Sequence, residues 1–247
     1  MSQSFRNERA TELRNLAQIL QRKGIVGDPG PLFSAATDCH RDRGNYWGYS
    51  LEGLVFRSLG QLKTVPYPIN DLSLKLTIDI RGVCSDNVDS DPFEEYNFQL
   101  VIFGSYKKQG DHATQKVTNS WHLDRHVPTS TENEPRFLHP HYHLQFGGHV
   151  LKETVNEDVQ FSGQVLLIDS PRIPFPPLDA LLGIDFVLTN FINSGDIRFR
   201  EQGDYANQLK RMQERLWKSY TIALASRWQP NHNLVPWPCN HLWPQFM

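Results

Sequence analysis

The stretch LSLKLTIDI, Leu72 to Ile80, decides the fold class, because apolar and polar residues alternate along its whole length. In a β-strand, successive side chains point to opposite faces of the sheet. The alternation therefore predicts a strand with one face toward a core and one polar face. The apolar face comprises Leu72, Leu74, Leu76, Ile78 and Ile80, and the polar face comprises Ser73, Lys75, Thr77 and Asp79.

Further strands are predicted on both sides of this one, in the segments LEGLVFRSL, YNFQLVIFG, SWHLDRH, HYHLQF and GQVLLID. A helical repeat of apolar residues precedes the strands, and two helical segments follow the proline-rich SPRIPFPP. Strands that are segregated from helices in this way are typical of α+β proteins. We predict an N-terminal helix, an antiparallel β-meander of about five to six strands, and two C-terminal helices packed on one sheet face.

The length of 247 residues suits a single large domain. We predict one α+β domain over residues 1–228, and a proline- and tryptophan-rich tail over residues 229–247 that packs on it. The net charge of −2, without a block of basic residues, does not indicate nucleic-acid binding. No apolar run is long enough for a membrane span, so a membrane partner is not expected either.

The three cysteines, Cys39, Cys84 and Cys239, are odd in number and far apart in the sequence. They do not predict a disulfide framework, and they are compatible with a reducing compartment. The N-terminus carries charges throughout and lacks the apolar core of a signal peptide. A cytoplasmic location is therefore expected.

Histidines are concentrated in HPHYHLQFGGH, residues 139–149, which contains four of the chain's ten histidines. Strand parity puts Tyr142 and Leu144 on the core face, and Trp121 and Leu123 of SWHLDRH on the same face. The opposite face then collects His122, Asp124, His126, His139, His141 and His143. Symmetric pairing of the two strands would set His122 against His143, Asp124 against His141, and His126 against His139.

Three interpretations of this histidine face remain open. It is a solvated polar surface, or it is a metal-free acid–base site, or it binds metal. Imidazoles with a carboxylate are ligands for a zinc-like transition metal, which would be the implied cofactor. The following FGG, Phe146 to Gly148, is predicted to be a bulge or tight turn in which glycine takes a positive φ.

A second polar feature is Asp185, which lies in the nearly all-apolar segment LDALLGIDFVLTNFI. A buried carboxylate needs a partner. Arg172, in the preceding proline-rich connector, is the predicted partner, and the alternative is that it caps exposed carbonyls of the proline-rich turn. A structural clamp is the expected role of the pair.

The order of elements resembles the ubiquitin-conjugating-enzyme and RWD-like fold, which has a leading helix, a four-strand meander, an HP element and closing helices. The HP element corresponds to His139–Pro140, and GQVLLID followed by FPPLDALLGI corresponds to the catalytic loop and the next helix. No cysteine occurs between Cys84 and Cys239, so leucine occupies the position of the conjugating cysteine. The resemblance implies a scaffold without conjugating activity.

SWHLDRH and HPHYH also resemble the histidine-containing strands of small toxins from bacterial toxin–antitoxin pairs. Two hypotheses about function follow. The first is a non-catalytic cytosolic interaction or accessory protein, whose partner is another protein and whose prolines and tryptophans form the contact surface. The second is a metal-dependent hydrolase or nuclease-like toxin that uses the histidine face, in which the metal lowers the pKa of bound water.

Overall fold

A computed structural model describes residues 2–41, 43–57, 59, 69–85, 91–106, 114–127, 139–149, 151, 161–162, 165–166, 171–228 and 239–245. The helices are α1 (Ser2–Arg22), α2 (Gly30–Cys39), α3 (Ala180–Phe191), α4 (Gly203–Ala225) and α5 (Cys239–Leu242). The strands are β1 (Tyr46–Phe56), β2 (Ile69–Val83), β3 (Glu95–Tyr106), β4 (Gln115–Arg125), β5 (Tyr142–Phe146), β6 (Phe161–Ser162), β7 (Val165–Leu166) and β8 (Ile173–Pro174).

Six strands form one sheet in the order β1-β2-β3-β4-β5-β8, and every neighbouring pair is antiparallel. The short strands β6 and β7 pair with each other. The predicted α+β class and antiparallel sheet are therefore confirmed. The expected strand GQVLLID lies mostly outside the described residues, which include only Val165 and Leu166 of it.

The alternation in LSLKLTIDI has the predicted consequence in β2. Leu74, Leu76 and Ile78 are fully buried, whereas Lys75 and Asp79 on the other face are exposed. The buried row forms one wall of the core, and α1, α3 and α4 supply the opposite wall. Period-two patterning thus fixes which sheet face the helices cover.

Helix α3 lies close to the sheet because Gly183 has no side chain. A Cβ at this position would lie 2.5 Å from the ring of Phe98 and 3.3 Å from Ile78. The helix is capped by Asp179, whose carboxylate accepts a hydrogen bond of 2.9 Å from the Leu182 amide. Tyr49 of β1 adds an anchor, since its hydroxyl accepts from the Ala180 amide at 2.8 Å.

Asp185 is buried and paired, as expected, but its partner is Arg200, so the predicted pairing with Arg172 is wrong. The Arg200 guanidinium donates to both carboxylate oxygens of Asp185, at 2.6 and 2.8 Å, and the Tyr205 hydroxyl donates to one of them at 3.1 Å. The connector that carries Arg172 extends along β5 instead, where β8 pairs with that strand.

Part of the predicted tail is described as α5, whose Leu242 is fully buried against Tyr220 and Ala223 of α4. Residues 229–238 of the tail lie outside the described part of the chain. None of the helices in the described ranges combines the length and the apolar character that crossing a bilayer requires.

Candidate functional site

The sheet face away from the helices, here called the polar face, brings together side chains of β3, β4 and β5. Two adjacent rows cross these strands. In one row Asn97, Asp124 and His143 are neighbours, and in the other Gln99, His122 and Gln145 are neighbours. Directly opposed side chains have Cβ atoms roughly 5 Å apart, so the members of a row can contact one another.

His122 and Asp124 form the central contact of this face, with 3.1 Å between Nε2 of the imidazole and Oδ2 of the carboxylate. Burial by itself lowers the pKa of His122, but the hydrogen bond to Asp124 and the charge of that carboxylate outweigh it, so the pKa is raised. Burial likewise raises the pKa of Asp124, and the hydrogen bond and charge of His122 outweigh it, so that pKa is lowered. The contact therefore favours imidazolium with carboxylate.

The turn after β5 makes room for the His122 ring. Gly147 and Gly148 have positive φ values of 96° and 78°, as predicted for FGG. A Cβ at residue 148 would lie only 2.7 Å from Nδ1 of His122. Ser120 of β4 holds the turn in place through two hydrogen bonds to Gly147. Its hydroxyl donates to the Gly147 carbonyl, and its backbone carbonyl accepts from the Gly147 amide at 2.8 Å.

His143 is the second imidazole beside Asp124, and its environment is opposite to that of His122. It is 3% exposed, and burial lowers its pKa to about 4, with further lowering by His139 and Arg172. Its Nδ1 lies 3.1 Å from the Pro140 carbonyl, which only accepts hydrogen bonds. The proton of the neutral ring is therefore on Nδ1, and Nε2 carries the lone pair.

The pairing of β4 and β5 is shifted by two residues from the predicted symmetric one. Asp124 faces His143 instead of His141, and His122 faces Gln145 instead of His143. The shift leaves the paired residues of β4 and β5 on their expected faces, since side chains alternate with a period of two. The rings of His126 and His139 lie together as expected, with centroids 4.6 Å apart, and His139 also contacts His143 at 5.6 Å.

His141 departs from the predicted face because β5 begins only at Tyr142 and the chain bends at His141. Its Nε2 lies 2.7 Å from Oδ2 of Asp91. The same carboxylate accepts from the Tyr142 hydroxyl at 2.6 Å and from Nε of Arg125 at 2.7 Å. His141 is therefore part of a separate, well-satisfied polar network that ties β4 and β5 to the segment before β3.

Asp91 is a residue that sequence reasoning missed. Burial raises its pKa, but hydrogen bonds from His141 and Tyr142 and the charge of Arg125 outweigh that effect and lower it. Asp91 lies in the polar stretch GVCSDNVDSDP, which contains three aspartates. Nothing in that composition marks Asp91 as the partner of His141, Tyr142 and Arg125.

Arg172 joins the polar face from β8. That strand pairs Ile173 with Leu144 and Pro174 with His143, so continuing the register places Arg172 opposite Gln145. Its position adds a cation to the side of the polar face where His143 lies, and its charge contributes to the lowered pKa of His143. Sequence reasoning missed this role, because it assigned Arg172 to Asp185.

The described residues of this face do not form a set of metal ligands. Within the ranges that the structure describes, no group of three or more His, Cys, Asp or Glu side chains is arranged to hold a metal ion. The arrangement present is a carboxylate between two imidazoles, beside a guanidinium, and the pKa is raised for one imidazole and lowered for the other.

Comparison of the chain with models of protein families, with curated proteins and with solved structures gives no match. The resemblances to the ubiquitin-conjugating-enzyme fold and to bacterial toxins therefore stay predictions.

Proposed function

We propose that the protein is an acid–base catalyst of group transfer to water or to a hydroxyl, with His143 as the general base and His122 as the general acid. The observation that carries this proposal is the opposite shift in pKa of two imidazoles beside one carboxylate, Asp124. Titratable groups whose environments drive their pKa values apart are suited to opposite roles in proton transfer.

The proton transfers balance with these residues alone. Nε2 of neutral His143 takes a proton from the attacking hydroxyl, and the protonated His122 gives a proton to the departing oxygen. Asp124 touches His122 directly, so it orients that ring and stabilises its charge. Proton transfer by positioned side chains of this kind contributes about 10²- to 10⁴-fold to a rate.

The test uses substitutions that keep each local hydrogen bond. His143→Asn retains a donor near the Nδ1 position for the Pro140 carbonyl but removes the basic nitrogen. His122→Gln retains an amide donor for Asp124 but cannot transfer a proton. Each variant should lower kcat toward p-nitrophenyl carboxylic or phosphate esters about 100-fold or more.

His40→Gln is the matched control, since His40 bonds Arg14 and Asn7 far from this face. It should leave the rate unchanged. The proposal fails if the wild-type protein has no activity toward either ester class, or if His143→Asn is as active as the control.

Protein docking is a second candidate, favoured by apolar side chains exposed at one end of the helical layer. Trp228 is 70% exposed, and Ile222 and Trp243 are 41% and 36% exposed. Large exposed aromatic residues are frequent anchors of protein interfaces. A photo-crosslinking amino acid at position 228 should capture one specific protein in cells, while the same group at the exposed Lys210 should not.

A further inference from the structure

His122 pairs with Gln145, and His143 lies in the adjacent row. Extending the β5–β8 register by one residue beyond Ile173 places Arg172 on the other side of Gln145. Three strands therefore present a guanidinium, an imidazolium and a neutral imidazole on one sheet face. The one carboxylate among them, Asp124, is neutralised by its contact with His122. The group as a whole favours an anion.

The Nε atom of Arg172 is a hydrogen-bond donor that no structural contact in the described part of the chain uses. Within the described part of the chain, this Nε is buried and has no hydrogen-bond partner. Leaving a buried donor without an acceptor is unfavourable, so such a group calls for an explanation, and a role in ligand binding is one. Arg200 provides the contrast, because its Nε and one terminal nitrogen are both bonded to Asp185.

We propose that this site acts on a phosphodiester, and that Arg172 binds the non-bridging oxygens of its phosphate. The inference rests on the acid–base function proposed above and names its substrate class. Guanidinium recognises tetrahedral oxyanions through two parallel N–H donors. The single charge of a diester matches one guanidinium, with His122 reserved for the leaving oxygen.

The chemistry of the polar face favours phosphoryl over acyl transfer. Acyl transfer in hydrolases generally uses a side-chain nucleophile. Ser120, two residues before His122 on the same strand, is fully buried and donates to the Gly147 carbonyl. Phosphoryl transfer needs no covalent intermediate, only positioning and stabilisation of charge. His143 and Arg172 meet those two needs from neighbouring strands.

The reaction balances without further reactants. The oxygen of water or of a neighbouring hydroxyl attacks phosphorus while Nε2 of His143 accepts its proton. The bond between phosphorus and the leaving oxygen breaks, and His122 protonates that oxygen. Arg172 stays bound to the equatorial oxygens throughout, where charge builds up in the transition state.

Binding is tested first, without turnover, by titrating inorganic phosphate into the protein and following the imidazole resonances of His122 and His143 by NMR. Both resonances should shift in the wild type. Arg172→Gln should weaken the binding about tenfold or more, and Arg172→Lys should retain part of it. Arg198→Gln, at an exposed arginine, is the control and should bind as the wild type does. Equal binding by Arg172→Gln and wild type overturns the proposal.

Activity then separates this inference from the function on which it rests. Bis(p-nitrophenyl) phosphate, an RNA oligonucleotide and its DNA counterpart are compared with p-nitrophenyl acetate. Cleavage of a diester that falls about 100-fold in Arg172→Gln and is unchanged in the control Arg198→Gln supports the proposal. Cleavage of RNA but not DNA identifies the attacking group as the neighbouring 2′-hydroxyl.

Two other outcomes contradict the inference in different ways. Hydrolysis of the acetate without cleavage of any diester overturns the substrate class and leaves the acid–base function standing. Inactivity toward every substrate overturns the acid–base function, and the substrate class with it. Circular dichroism of each Arg172 variant shows whether a loss reflects the site or the fold, and Arg172→Lys provides the answer if Arg172→Gln does not fold.

Discussion

Asp124 of β4 stands directly opposite His143 of β5, while its carboxylate lies 3.1 Å from Nε2 of His122. One carboxylate thus adjoins two imidazoles whose pKa values are shifted in opposite directions. Burial lowers the pKa of both rings, and the difference lies in what opposes it. For His122 the hydrogen bond to Asp124 and the charge of that carboxylate outweigh burial. For His143 burial prevails, because the hydrogen bond that Nδ1 donates to the Pro140 carbonyl is weaker than that effect, and His139 and Arg172 lower the pKa further.

The pH dependence of kcat/KM should be bell-shaped. Activity should rise as pH increases through about 4, where His143 loses its proton, and fall at a pH above the usual range of histidine, where His122 loses its own. Asp124→Asn removes the charge that raises the pKa of His122, so the alkaline limb should move to lower pH. A profile whose alkaline limb stays in place in Asp124→Asn contradicts the assignment of the acid.

Gly148→Ala should displace the His122 ring. The added Cβ would lie 2.7 Å from Nδ1 of that ring, and the φ of 78° disfavours any residue with a Cβ by about 1–2 kcal/mol. We expect a lower melting temperature and loss of the shifted His122 titration in NMR. Gly195→Ala is the control, since no atom lies within 4 Å of its added Cβ. Equal effects of the two substitutions would show that Gly148 has no special relation to His122.

The layered arrangement was predictable because it depends only on the period of the pattern. Leu74, Leu76 and Ile78 alternate with polar residues, and a period of two decides which face is buried whatever the register. The same argument placed His122 and Asp124 together on the polar face. It applies wherever the strand is regular.

Register and long-range partners were not predictable from the pattern. The pairing of β4 with β5 depends on where β5 begins, and the bend at His141 redirected that side chain to Asp91. The buried Asp185 required a cation, but sequence proximity suggested Arg172 where the fold supplies Arg200. Which cation pairs with a buried carboxylate depends on tertiary packing, and the residues near it in the sequence do not determine that packing.

The Asp185–Arg200 pair should be structural. Asp185 is 9% exposed. Of the hydrogen bonds described for its carboxylate, Arg200→Ala would remove the two from the guanidinium and leave the one from the Tyr205 hydroxyl. Loss of one member of a buried pair should cost about 2–4 kcal/mol, measured by urea unfolding. Arg172→Ala should cost much less. If Arg172→Ala were the more destabilising change, Arg172 would be the structural residue and its catalytic role would be lost.

The stability of the protein should decrease on acidification because of His143. Its pKa is about 4 in the folded chain, below the usual value of 6.5, so between these values the unfolded chain binds a proton that the folded chain does not. The stability that this group contributes is complete above pH 6.5 and is lost as the pH falls toward 4, by at most about 3 kcal/mol.

Urea unfolding at pH 7.5 and at pH 4.5 measures the loss in the wild type and in His143→Asn. His122 has the opposite dependence but is present in both proteins, so the difference between them isolates His143. The variant should lose less stability between the two pH values than the wild type does. Equal losses would mean that His143 is solvated and titrates normally, and would remove the neutral base from the proposed mechanism.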